Sequence, residues 1–501
     1  MEYPALFSPL QIGSLTLKHR IVSAPSLPCL ATVAGAPSRE LIDYYRLKAK
    51  GGAALVTVGE SAIDSDLSIT HGGQLIIDSD KMIPWLCELA EAIKQFGAIA
   101  SLELCHGGRQ TIPELIGGKR PIAPSPLASQ FHEQLAGHKI RVQEMDLDQI
   151  AEVKENFASA AFRLKRAGFD MCMLHGGHGW LLAQFLSPFS NKRTDHFGGS
   201  LENRARFPIE VIEAVREKVG SDFAIEYRLS GDELVQGGLT IDETVKFAKM
   251  IEDKVDLIHV SAGLFGESQT LQYTHPTYFL PHGPNVYLAE AIKKAVKIPV
   301  ACVGSISDPV MGEQIIAAGK ADLIAMARAL YADPELPDKA RRSNREAIRP
   351  CIRCLECLGR VANFLPIRCA INPVTGRESE FKNAQITNKG KNIVIAGGGP
   401  AGMQAAITAA AKGHLVTLYE KAEALGEKLN YAKAGCLVMD IKIRLLDKKC
   451  EPYRAYPTDS GLDLRARIDK PLLLWNGETK VIPVGVAIAL PQGYEAQIRP
   501  R

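Results

Sequence analysis

The chain has 501 residues, 46% of them hydrophobic and 23% charged, and its 59 basic and 56 acidic side chains nearly cancel to +3. That balance excludes a disordered or fibrous chain, gives no electrostatic reason to expect nucleic acid or an anionic membrane as partner, and allows about three domains. No apolar run approaches the ~20 residues of a membrane span, and the amino terminus lacks a secretory pattern, so a cytoplasmic location is expected; eleven cysteines are then unusual as disulfides.

From about residue 20 to 345, short β-branched runs alternate with amphipathic stretches. The runs at 20–24, 53–59, 98–105, 169–174, 223–229, 256–260, 299–303 and 322–326 are predicted strands, and 146–167 and 241–253 are among the predicted helices. Eight such runs with helices between them predict an α/β fold, a parallel sheet closed into a (β/α)8 TIM barrel over 1–348. An open doubly wound sheet is the alternative. The barrel is favoured because Pro25, Glu60, His106, His175, Arg228, Ser261, Gly304 and Arg328 end nearly every run. Closure would collect those ends on one face, where barrel active sites are built.

The stretch 174–207 reads LHGGHGWLLAQFLSPFSNKRTDHFGGSLENRARF. His175 and His178 follow a strand end three residues apart, so two N–H donors could reach one oxygen and polarise a carbonyl. Spacing alone favours a pair of surface histidines; the surrounding stretch reverses that. The whole stretch resembles the old yellow enzyme family of FMN-dependent ene-reductases, from the His pair through QFLSP to the RTD, GGS and ENR groups. The resemblance extends over about 5–345 and includes the His106-Gly107-Gly108-Arg109 turn. It implies that Ala24, Pro25, Ser26 and Gly59 cradle the flavin. It implies a cation, Arg228, beside the flavin pyrimidine, although an ion pair with a neighbouring Glu is the plainer reading. Gly304, Ser305, Ala327 and Arg328 would form the phosphate site after the seventh and eighth strands.

Two positions depart from the family pattern. Glu103 stands where a Gln usually binds the pyrimidine, and Trp180 stands where a Tyr usually donates a proton. Tyr273, His275 and Tyr278 are the substitute donors, with solvent as the alternative.

Residues 349–376 hold Cys351, Cys354, Cys357 and Cys369 in a C-x2-C-x2-C-x11-C pattern. Spacing alone fits zinc or an iron–sulfur cluster. Its place after the barrel, with the flanking Arg349-Pro350-Cys351 and Ile371-Asn372-Pro373, resembles the subfamily of 2-enoate reductases, 2,4-dienoyl-CoA reductase and trimethylamine dehydrogenase. That resemblance implies a 4Fe-4S cluster relaying electrons to FMN. The seven other cysteines are expected to be core or inert thiols.

Over 390–436, Gly397-x-Gly399-x-x-Gly402 lies between a β run and an Ala-rich helix, and a second β run ends at Glu420. This predicts a Rossmann βαβ unit, with Glu420 placed for a ribose hydroxyl. In the subfamily it opens an FAD fold that accepts hydride from NAD(P)H. About seventy residues follow Tyr431, too few for the rest of that fold, so the FAD site is expected to be incomplete. Residues 439–501 instead resemble the amino-terminal part of the trimeric dUTP diphosphatases, through Ser460-Gly461-Leu462-Asp463-Leu464 and a closing Pro500-Arg501. Most of that family's catalytic residues are missing.

The expected function is NAD(P)H-dependent reduction of the C=C bond of an activated alkene, a 2-enoate or enoyl thioester. His175 and His178 would hold the carbonyl oxygen. Inactive nucleotide binding by the dUTPase-like piece and an incomplete fusion without turnover are the alternatives. The expected partners are small α,β-unsaturated molecules, with self-association into a homo-oligomer allowed.

Overall fold

The β-branched runs pair in parallel: β1 (Ile21–Ser23), β2 (Leu55–Ala62), β3 (Ile99–Cys105), β4 (Met171–Gly176), β5 (Ala224–Ser230), β6 (Leu257–Ser261), β7 (Val300–Val303) and β8 (Leu323–Met326). Each bonds to the next, and β1 bonds to β8 through Val22↔Ala325 and to β2 through Ser23↔Val56. The sheet is therefore a closed barrel rather than an open one. The computed structural model describes residues 2–382 and 389–426, and the backbone of two strands at 442–445 and 486–489.

Outside the barrel lie α1 (Arg39–Lys50), α2 (Ile83–Lys94), α3 (Leu147–Arg166), α4 (Leu201–Val219), α5 (Ile241–Ile251), α6 (Val286–Ala295), α7 (Pro309–Ala317) and α8 (Arg328–Ala332). The bounds of α3 follow from its sequence. Asp146 and Gln149 exchange side-chain and backbone hydrogen bonds in a capping box, and Phe157, Ala161 and Leu164 recur on the buried face. At the amino-terminal end of the barrel a hairpin inserts Ile12 and Leu17 among Leu55, Met171, Ala224, Leu257 and Leu323. Burying each such side chain contributes about 1.5–3 kcal/mol. With that end plugged, the cavity opens at the carboxyl ends of the strands.

Several strands run beyond their apolar runs, β2 to Ala62 and β4 to Gly176, because backbone pairing continues where the side chains turn polar. Within β2 the register slips: Val58 faces Leu102 but Ser61 faces Leu104 on β3. Gly59 and Glu60 thus share one partner, a bulge of the kind that re-aims a side chain.

Two compact units divide the chain, Met1–Asn383 and Ala384–Arg501. The first ends in the Cys-rich segment, which carries the short helix α9 (Glu356–Ala362). In the second, β9 (Asn392–Ala396) and β10 (Leu415–Tyr419) pair in parallel on either side of α10 (Pro400–Ala411). Further on, β11 (Lys442–Leu445) and β12 (Val486–Ala489) pair antiparallel, Ile443 opposite Ile488. The dUTPase-like motif at Ser460–Asp463 and the closing Pro500-Arg501 lie outside the described residues.

Candidate active site

Side chains from the carboxyl ends of the strands line one cavity of about 1,320 Å³, measured with its open mouth. Ala24, Pro25 and Ser26 come from the end of β1, Glu60 from β2, Glu103 from β3 and Arg228 from β5. His175, His178 and Trp180 follow β4.

The His-Gly-Gly-His-Gly run is shaped by its neighbours. A Cβ on Gly176 would lie 2.1 Å from the Tyr227 hydroxyl, so only glycine lets the chain leave β4 there. His178 then takes a left-handed φ of +54°. Its amide donates to Ser230 Oγ at 2.9 Å, and its Nε2 lies 2.5 Å from Ser261 Oγ. The two imidazoles sit 5.3 Å apart at 72°. Burial, reinforced by Arg228, holds both well below the usual histidine range, so both are neutral at pH 7. The Gly177 amide donates to His175 Nδ1 at 3.3 Å, which places the ring proton on Nε2.

Arg228 Nη1 donates to Glu103 Oε1 at 2.9 Å, and His175 Nε2 lies 3.6 Å from the same oxygen. The ion pair that was the plainer reading of Arg228 is therefore present, and its partner is the residue that departs from the family pattern. Burial lifts the Glu103 carboxyl above its ordinary range against the pull of Arg228. The Nε of Arg228 is buried without a hydrogen-bond partner among the described residues.

On the β7 and β8 side, Gly304 (φ +133°) and Ser305 (φ +53°) form consecutive left-handed positions. Ser305 Oγ is buried with no partner among the described residues, and Arg328 lines the same wall. The unpartnered Ser305 hydroxyl with Arg328 at one side, and the unpartnered Arg228 Nε at the other, are the donors that a flavin mononucleotide would need at its phosphate and its polar ring edge.

A family model, NADH:flavin oxidoreductase / NADH oxidase, matches residues 5–346, the whole barrel. The chain belongs to this family. It is 45% identical to an NADH oxidase of Thermoanaerobacter brockii over 440 residues, 87% of this chain and 66% of that one. It is 34% identical to a cinnamate reductase of Clostridium sporogenes over 447 residues, 85% of this chain and 66% of that one. The solved structure of 2-naphthoyl-CoA reductase with 2-naphthoyl-CoA superposes with a TM-score of 0.80 at 31% identity, covering 85% of this chain and 66% of that one. The chain thus spans just under two thirds of the length of these relatives. A second model, FAD binding domain, matches residues 392–448.

Within this family member the substitute proton donors fare unequally. Tyr273 lies on a one-turn helix, Leu271–Thr274, packs against the core and does not line the cavity. Tyr278 is exposed under the Arg353 guanidinium. Neither lines the cavity as it stands, because the turn of the loop decides which side chain points inward. Only His275 reaches the cavity, and burial pushes it down to about 3. Gly59 also falls short of the cavity. It sits behind Pro25, with its amide and carbonyl on the Tyr45 hydroxyl at 3.2 Å. Glu60, His71 and Phe265 line the cavity and were not singled out as site residues. Phe265 stacks on Trp180 at 6.0 Å and 22°, and His71 and His275 lean on its other sides.

All four clustered cysteines line a smaller pocket with Arg328 and Tyr331. Cys351, Cys357, Arg353, Arg328 and Tyr331 are walls of both pockets. Arg353 and Leu355 adopt φ near +60° in this loop, and the Arg353 amide points at Cys351 Sγ at 3.4 Å. The Ile371 and Asn372 amides donate to Cys369. Amides directed at sulfur suit thiolates bound to a metal centre. Among the described residues no three His, Cys, Asp or Glu side chains meet closely enough to hold a single ion, so the thiols line a space rather than converge on a point. Cys29, Cys172 and Cys302 are buried and pushed up to about 12, as befits core thiols. Cys436 and Cys450 lie outside the described residues.

In the second unit, Gly397 takes φ +104° at the turn into α10. Glu420 accepts from the amides of Gly398 (2.6 Å), Lys421 (2.7 Å) and Ala422 (3.0 Å). Its carboxylate braces the glycine loop, a use that the ribose reading did not include. Among the described residues no helix is long and apolar enough to cross a membrane.

Proposed function

We propose that this chain reduces the C=C bond of an activated alkene, using NAD(P)H as electron source and FMN in the barrel cavity. The observation that carries this reading is the pair of neutral, buried imidazoles at His175 and His178, held beside the Arg228–Glu103 pair. Two such donors, fixed before the substrate arrives, can take up negative charge on a carbonyl oxygen at little reorganisation cost. Bound FMN supplies hydride. Ala24, Pro25, Ser26, Glu103, Arg228, Gly304, Ser305, Ala327 and Arg328 would hold it, all of them cavity walls.

The substrate end is aromatic, with Trp180 and Phe265 stacked and His71 and His275 neutral beside them. An aryl-substituted 2-enoate or enoyl thioester suits such walls. The names of two relatives, cinnamate reductase and 2-naphthoyl-CoA reductase, point the same way.

Cys351, Cys354, Cys357 and Cys369 would bind a 4Fe-4S cluster, which supplies one-electron transfer. The walls shared by the cysteine pocket and the cavity support that reading. The Gly397–Gly402 loop would open an FAD site.

The test is direct. Purified anaerobically, the chain should carry one FMN and about four irons, and should oxidise NADH only when cinnamate is added. A colourless chain, zinc in place of iron, or NADH oxidation indifferent to any enoate would each remove one part of the proposal.

A further inference from the structure

We infer that Glu60 is the acid that protonates the α-carbon of the alkene, an inference that rests on the proposed alkene reduction. The bulge in β2 sets Gly59 and Glu60 together against one residue of β3, and Glu60 becomes a cavity wall. Its Oε1 accepts from Thr70 Oγ1 at 2.8 Å and from Gln74 Nε2 at 3.4 Å. Thr70 is tied in turn to the His71 ring at 2.9 Å. Oε2 has no hydrogen-bond partner among the described residues, so the carboxyl is fixed by one oxygen and offers the other.

The protonation state agrees with that geometry. Burial and the neighbouring Glu103 push Glu60 up to about 8, against the Thr70 hydrogen bond and Arg228. His71, pushed down to about 4, is neutral beside it, and Cys105 carries no charge. Glu60 therefore holds a proton at pH 7. Three other candidates are less suited. Trp180 offers an indole N–H, His275 is a neutral imidazole at that pH, and Tyr273 is outside the cavity.

In the step itself, hydride that NAD(P)H-reduced flavin would supply, its own bond to that hydrogen breaking, bonds to the β-carbon, and the π electrons shift to the carbonyl oxygen held by His175 and His178. As the carbonyl re-forms, the O–H bond of Glu60 breaks and its proton bonds to the α-carbon. The alkene gains one hydride and one proton. The carboxylate left behind takes a proton from water at the cavity mouth.

Glu60→Gln and Glu60→Asp holoenzymes, checked for flavin content and melting temperature, test this with cinnamate as substrate. In the wild type, alkene reduction should fall as pH rises through about 8. Glu60→Gln should lower kcat about 100-fold and abolish that basic limb, and Glu60→Asp should recover part of the rate. Infrared difference spectra at pH 7 should show one protonated carboxyl carbonyl lost in Glu60→Gln. An active wild type with Glu60→Gln within twofold of it and an unchanged pH profile would overturn the assignment to Glu60 alone. The same holds if no infrared band is lost. A wild type that reduces no enoate would overturn the alkene-reductase reading, and this inference with it.

Discussion

His178 sits in a backbone conformation that few non-glycine residues adopt, and two serines on different strands hold it there. Ser230 takes the amide and Ser261 meets the ring, so the imidazole is aimed before any ligand binds. The expected cost of losing one such donor is about 10²–10³ in kcat. His178→Ala should show that loss in steady-state alkene reduction while FMN content stays at the wild-type level. Glu226 belongs to the same scale but has a structural effect. It lies inside the barrel on β5, bonded to His259 Nδ1 at 2.9 Å, and burial pushes it up to about 8 from an ordinary 4.5. Between those values the folded chain binds a proton that the unfolded chain does not. Its contribution to stability is thus full at low pH and is lost as pH rises through about 8, at no more than about 1.4 kcal/mol per pH unit. Melting curves should show Glu226→Gln gaining on the wild type between pH 5 and pH 8.

The loops after β7 and β8 depend on one residue without a side chain. A Cβ on Gly304 would lie 2.8 Å from Asn285 Nδ2, and φ there is +133°. Gly304→Ala should therefore displace Asn285 and spoil the anion site, and flavin released on gel filtration should rise several-fold over the wild type. Most of the barrel could be read from the chain, because each strand is a short, mainly apolar run that leads into a polar or glycine residue. The capped ends of α3 were also legible, since Asp146 and Gln149 carry their own signal. What escaped were features that depend on a partner strand or on loop turn. The bulge at Gly59–Glu60 exists only by count against β3, so Glu60 read as one of eight run ends on the active-site face and was given no role of its own. Tyr273 and His275 looked equivalent in a loop whose turn sends only His275 inward.

At the scale of the molecule, the barrel and the cysteine segment form one unit, with cavity and cysteine pocket sharing walls at Arg328, Tyr331 and Arg353. The second unit supplies a glycine loop braced by Glu420, and the chain as a whole matches 66% of the length of its curated relatives. The claim that joins these parts is that the barrel cavity transfers hydride to an alkene bound at His175 and His178. The measurement that tests it most directly is a single turnover without oxygen. Dithionite-reduced protein, freed of excess reductant, is mixed with cinnamate while the flavin absorbance is followed. The expected result is return of the oxidised flavin spectrum with one equivalent of the saturated acid formed. A flavin that stays bleached, with cinnamate unchanged, would contradict the account.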